Sequence, residues 1–275
     1  MNKLIAYEAK NTPIHRLSGF TKLVFFLLWC ITSAMTFDTR VLGIMVLAGA
    51  VILIISRTEW RQVSKVFGAV LFFMTLNLLC IFLFAPYQGC EIYGQRTELF
   101  HIAGNYTMTR EQLFYELNVM LKYFTVVPTI MIFLVTTDPS ELAASVNRVG
   151  VPYSIAYSLA IALRYIPDVQ EDFHRIRNAQ QARGIEMAGG HASLLNRIQR
   201  TASIIFPLLF STMERIDVIS NAMELRGFGK HRRRTWYAAR PLSAADIAVL
   251  ICAVLFTAAA FAVTFMDGSR FYYPW

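Results

Sequence analysis

Asn178-Ala179-Gln180-Gln181-Ala182-Arg183-Gly184 and Asn221-Ala222-Met223-Glu224-Leu225-Arg226-Gly227 repeat one pattern, Asn-Ala-x-(Gln or Glu)-x-Arg-Gly, 43 residues apart. Each copy ends an amphipathic helical pattern. Ile166, Val169, Phe173 and Ile176 step by three and four, while Asp168, Glu171, Asp172 and Arg175 fill other faces. Ile216, Ile219, Met223 and Arg226 step alike. Arg183 lies seven residues after Ile176, and Arg226 seven after Ile219, so each arginine falls about 20° from its isoleucine on one stripe. Gly184 and Gly227 then sit where a left-handed residue stops a helix, and a last-turn arginine suits the negative helix end. That chemistry accounts for one Arg-Gly ending. Two at identical offsets point to paired docking ends for a cytoplasmic partner with two equivalent sockets.

Working outward, the apolar runs 154–166 and 202–213 that feed these helices are each about 13 residues long, too short to span a bilayer. A helix from Ser154 to Arg183 would be roughly 45 Å long. Such a helix can begin in the membrane and carry its tip into the cytoplasm. The small residues Ala179, Ala182 and Ala222 suggest a close approach of the two helices.

The rest of the chain is a membrane protein by composition: 56% of its 275 residues are hydrophobic and 16% are charged. Five stretches match the hydrocarbon thickness, residues 20–37, 41–56, 66–85, 117–136 and 246–266, and polar members such as Asn77 and Lys122 predict burial against neighbours. The formal net charge of +8 is distributed by topology. Lys3, Lys10 and Arg16 precede the first span with Lys22 in its first turn, Arg57, Arg61 and Lys65 follow the second, and 14 Lys and Arg fall between residues 137 and 241. The intervening segments hold only Arg40, Arg96, Arg110 and Arg270, which predicts a cytoplasmic N-terminus and an external C-terminus. The expected class is an all-α integral membrane protein in three regions. Residues 1–136 hold four spans and an outer loop at 86–116 with some helix near its end, 137–241 are a cytoplasmic or interfacial helical region, and 242–275 hold the last span and a short outer tail. The polar region before the first apolar run is about 19 residues, which is long for a signal peptide.

Several chemistries have no visible seat. The chain lacks a phosphate-binding Gly-x-x-x-x-Gly-Lys loop, a Gly-x-Ser-x-Gly elbow and a His-Glu-x-x-His motif. Cys30, Cys80, Cys90 and Cys252 are scattered, as are His15, His101, His174, His191 and His231, so no metal site or cofactor site is expected. Asn105-Tyr106-Thr107 matches a glycosylation sequon at chance level. Lys230 with Arg232, Arg233 and Arg234 reads as a topology signal with attraction to anionic lipid rather than as a nucleic-acid surface.

These residues resemble the transmembrane T component of energy-coupling factor transporters, the EcfT/CbiQ-like family of prokaryotic vitamin and transition-metal importers. Its hallmark is a pair of Ala-Arg-Gly motifs at the ends of cytoplasmic coupling helices. Ala182-Arg183-Gly184 matches the first in full; the second carries Leu225 in place of alanine before Arg226-Gly227. Pro13 to Leu17 with Thr21-Lys22-Leu23, Thr136 to Pro139 with Leu142, Leu163 to Pro167 and Pro207-Leu208 are also similar, whereas Ser18-Gly19-Phe20 and the long outer loop depart. The resemblance implies that Ala182, Arg183, Gly184, Leu225, Arg226 and Gly227 couple to two ATP-binding-cassette subunits, with Ile176, Ala179, Gln181, Ile219, Ala222 and Glu224 in support. It implies further a membrane-embedded substrate-binding S component, ATP bound by partner subunits only, and a non-catalytic role in the cytoplasmic membrane. Two alternatives stand beside it: a conventional ABC importer's permease, and an integral-membrane lipid or isoprenoid enzyme using Asp138, Glu141, Asp168 or Asp172.

Overall fold

A computed structural model describes residues 12–57, 60–103, 106–184, 194–230, 235–237, 239–266 and 269–274. Lys3, Lys10, Asn105, His191, His231 and the arginines 232–234 lie outside these residues. In chain order the elements are α1 (Pro13–Arg16), α2 (Gly19–Met35), α3 (Thr39–Ser56), α4 (Trp60–Phe84), α5 (Gln88–Tyr93), β1 (Glu98–Ala103), β2 (Tyr106–Thr109), α6 (Arg110–Thr136), α7 (Pro139–Val149), α8 (Tyr153–Ala182), α9 (Leu194–Leu225) and α10 (Ala244–Met266). Two compact units emerge, Met1–Glu141 with Arg240–Trp275 and Leu142–Ala239, with the boundary inside the first turns of α7.

The first unit packs α2, α3 and α10 around Trp29, with Val41, Met45 and Ala260 buried against it and Phe256 stacked on the indole at 5.6 Å. Trp29 Nε1 donates to the Thr125 carbonyl of α6 at 3.1 Å, so the one polar atom of this core is satisfied. Threonines mediate other close helix contacts: the Thr36 and Thr264 hydroxyls lie 2.7 Å apart, and Thr125 and Thr129 bond back to their own helix. Among the described residues four helical segments are long and apolar enough to cross a membrane, Thr39–Ser56, Val66–Phe84, Arg110–Thr136 and Ala244–Met266. The first expected span is the 17-residue apolar helix α2, about 25 Å at 1.5 Å per residue. Their outer faces carry Leu47, Ile54, Phe72, Phe73 and Phe84, all more than half exposed, as a lipid-facing surface requires. Lys122 is accommodated inside α6 because Nζ donates to the Ala34 carbonyl at 3.1 Å and sits 3.2 Å over the Phe37 ring. The protein is therefore a multi-pass, almost wholly helical membrane protein.

The outer loop is more ordered than a loop with a little helix. It forms α5 and an antiparallel hairpin, β1 with β2, whose register shifts twice between Glu98 and Ala103. Thr109 then caps α6 by accepting from Gln112 N–H, which moves the helix start to Arg110, seven residues before the apolar run begins. Tyr93, Phe114 and Tyr273 stack at 4.7 to 5.8 Å over this end. Burial pushes the Tyr93 phenol up to about 12.

The second unit is built on α8 and α9. Gln180 near the end of α8 meets Ser203 early in α9, Asp172 meets Arg215 midway, and Tyr157 early in α8 meets Phe228 just after α9. The two long helices are thus antiparallel. Their C-terminal ends, Arg183 and Arg226, therefore lie at opposite ends of the pair. Ile161, Tyr165, Val169, Ile219 and Met223 line the cleft between them.

Candidate functional site: two matched helix ends

Both Arg-Gly sequences terminate their helices by the same hydrogen bonds. Arg183 caps α8 at φ −83°, and its N–H is shared between the Ala179 and Gln180 carbonyls at 3.2 Å each. Gly184 follows at φ +85° and donates to the Gln181 carbonyl at 3.0 Å. In the second copy Arg226 N–H reaches Ala222 O at 3.2 Å, and Gly227 at φ +66° donates to Glu224 O at 2.8 Å. Phe228 N–H then bonds Met223 O at 2.9 Å, which completes a Schellman closure. Left-handed glycine is what permits this, since an L side chain at such a φ is strained.

The side chains of the motif are presented outward. Gln181, Ala182, Arg183 and Gly184 are exposed, as are Glu224 and Arg226, and Leu225 is 91% exposed. Ile176 and Ile219 are half-buried, and Ile219 lines the α8–α9 cleft. Ala179, Ala182 and Ala222 are exposed and do not form the close helix approach expected of them. The contact face at that level is marked by Gln180, whose Nε2 donates to Ser203 O at 3.0 Å; Ala179 is turned about 100° from it.

The second end is braced. Phe228 packs on Tyr157 at 4.9 Å and Tyr153 at 5.9 Å, Trp236 adds to Tyr153 at 5.3 Å, and Trp236 Nε1 donates to Asn147 Oδ1 at 3.0 Å. Aromatic faces thus fix the chain that leaves Gly227 onto the start of α8. Trp236 and Tyr153 were not legible as site residues, because their contact joins segments more than 80 residues apart.

The candidate catalytic carboxylates have separate local surroundings within their own units. Asp138 accepts from Ser140 N–H at 2.8 Å at the start of α7. Glu141 accepts from Gly19 N–H at 2.9 Å with Arg240 Nε at 3.6 Å, Asp172 pairs with Arg215 Nη2 at 2.6 Å, and Asp168 is exposed. Capping accounts for Asp138, but Asp172 and Glu141 are engaged in structure rather than solvated on a polar face. Among the described residues no cluster of three or more His, Cys, Asp or Glu has metal-binding geometry.

The sequence profile of the cobalt transport protein family, CbiQ, matches residues 10–237. Proteins named energy-coupling factor transporter transmembrane protein EcfT are similar over most of their length. That of Leuconostoc gelidum subsp. gasicomitatum is 26% identical over 82% of this chain and 84% of its own. That of Streptococcus equi subsp. equi is 27% identical over 93% and 94%, and that of Bacillus selenitireducens 26% over 95% and 97%. Long apolar helices, a separate antiparallel helix pair and two Arg-Gly ends accord with a match that runs through both units, and the chain belongs to the CbiQ family of transmembrane T components of energy-coupling factor transporters.

Proposed function

We propose that this chain is the non-catalytic coupling subunit of an importer in which two ATP-binding-cassette subunits dock on the Arg183 and Arg226 ends. A membrane-embedded S component supplies the substrate pocket. ATP-driven movement of the ATPase pair is passed through α8 and α9 to the S component, for uptake of a vitamin or a transition-metal ion. In this reading residues 1–136 and 242–275 form five spans in a prokaryotic cytoplasmic membrane, N-terminus inside and C-terminus outside. Residues 137–241 are the cytoplasmic coupling region, and nucleotide is bound by the partners alone.

The observation that carries the reading is the duplication of one helix end at both extremities of an antiparallel pair. Each end offers an exposed guanidinium, whose fixed donor fork suits a carboxylate in a partner groove, beside a small or apolar neighbour, Ala182 or Leu225. Ile176 and Ile219 seat the stripes that hold Gln181 and Glu224 outward. The enzyme alternative is not favoured, since Asp138, Glu141 and Asp172 are already engaged.

The test is equilibrium binding of the two ATPases to the purified chain. Removing one partner of a buried interfacial charge pair costs about 2 to 5 kcal/mol, so Arg183→Ala and Arg226→Ala should each weaken one ATPase site by about 30-fold or more. Unchanged binding in both variants would refute the assignment.

A further inference from the structure

We propose that Asp172 and Arg215 form a positioning pair that sets the register of α8 against α9 and hence the spacing of the two Arg-Gly ends. Arg215 Nη2 lies 2.6 Å from Asp172 Oδ2, with side chains 35% and 21% exposed, and the guanidinium also sits 5.9 Å from the centre of the Tyr165 ring. The two residues are 43 apart, the offset of the repeated motif. Asp172 therefore occupies in the first copy the place that Arg215 occupies in the second, 11 residues before Arg183 and Arg226 respectively. In an antiparallel pair of equal repeats, equivalent positions face each other at one level only, where the local two-fold axis passes. The contacts on either side, Gln180 with Ser203 and Tyr157 with Phe228, place that level at this ion pair.

Two consequences follow from position. Each arginine end lies about 16 Å from the axis along its helix, so the ends are separated by roughly 33 Å. Sliding one helix past the other by a turn would change that separation by about 5.4 Å. The apolar lining, Ile161, Val169, Ile219 and Met223, resists such a slide weakly because its contacts are non-directional. Gln180 bonds a main-chain carbonyl, a group that recurs every turn. A one-turn slide in one sense would put Ile176 where Asp172 stands and lose the guanidinium–carboxylate bond, and in the other sense would exchange it for the exposed Asp168, so this partly buried pair favours one register. The effect on partner docking rests on the function proposed above; the register does not.

The experiment labels Gln181→Cys and Glu224→Cys with nitroxides in the full chain, with the four native cysteines replaced, and measures their separation by double electron–electron resonance. The unaltered pair should give one narrow distribution near about 30 Å. Asp172→Asn or Arg215→Gln should add a population displaced by about 5 Å, one helical turn. The exchange of Asp172→Arg with Arg215→Asp should restore the single peak, because the local two-fold axis returns the same bond with its ends swapped. In the complete complex, ATPase affinity should fall about fivefold in the single variants and recover in the exchange. Single variants with the unaltered distance distribution, or an exchange that fails to restore it, would overturn the proposal. Distances that respond as expected while ATPase affinity stays constant would uphold the register and count against the docking role instead.

Discussion

Replacing Gly184 and Gly227 by alanine isolates the conformation of the two ends from their charge. Both glycines lie in the left-handed region, at φ +85° and +66°. A Cβ added at Gly184 would meet nothing within 4 Å, so the penalty there is conformational rather than a collision. An L residue in this region costs about 1 to 2 kcal/mol, which is roughly a 5- to 30-fold loss of the closed end. The ends are far enough apart for their effects to add, so the double variant should lose about 2 to 4 kcal/mol of partner binding. The assay is titration of ATPase onto the purified chain, read alongside thermal unfolding. Unfolding should barely move for the exposed Gly184, whereas Gly227→Ala should also lower the melting temperature, because Gly227 leads into the packing of Phe228 on Tyr153 and Tyr157. Asparagine tolerates the left-handed region better than alanine, so Gly184→Asn should bind more tightly than Gly184→Ala. Equal, undiminished binding by the alanine and asparagine variants would refute the reasoning that closure of the helix ends presents the arginines.

Three further outcomes concern the membrane unit. Lys22 Nζ donates to Thr136 O at 2.7 Å, so Lys22→Met should leave that buried helix-end carbonyl unpaired and cost about 1 to 3 kcal/mol, seen as a lower melting temperature in detergent. A Cβ at Gly89 would collide with the backbone of Glu111 and Gln112; Gly89→Ala should free α5 by about 1 to 3 kcal/mol and speed maleimide labelling of Cys90, whose thiol donates to Thr109 Oγ1 at 3.2 Å. Because burial raises the Tyr93 phenol to about 12, its contribution to stability is fully present below the ordinary tyrosine value near 10 and is lost as pH rises through 12. Burial also raises the Tyr273 phenol, so ultraviolet titration should show a late-ionising component that shrinks, without vanishing, in Tyr93→Phe.

Much of this architecture is written in hydropathy. The runs at 41–56, 66–85 and 246–266 correspond to Thr39–Ser56, Val66–Phe84 and Ala244–Met266, because a bilayer-length apolar stretch admits one backbone solution. The run at 117–136 understates α6, whose first two turns mix polar and apolar residues and are fixed by the Thr109 cap and by the buried Glu111 and Gln112, which accept from Thr97 N–H and Gly89 N–H. The hairpin escaped because its strands are short, mixed and bulged, with no sustained alternation. Periodicity identified α8 and α9, but of the stripe read on α8 only Val169 lines the cleft while Ile166 is half exposed, and a helical period carries no information about the direction of the partner helix. That direction lay in charge: Asp172 and Arg215 differ by the motif's own 43 residues and have opposite sign, a pattern an antiparallel repeat can use at its centre. The alanines were misread for a similar reason, since a small residue permits close packing without specifying where it occurs.

The most direct measurement of the central claim is to extract the tagged chain gently from its native membrane and identify by mass spectrometry what accompanies it, beside the Arg183→Ala, Arg226→Ala double variant. The account predicts two ATPase copies and a small membrane protein with the unaltered chain, and loss of the ATPases from the variant. The same ATPase recovery from both chains, or recovery of the unaltered chain alone under conditions that keep such complexes intact, would contradict it.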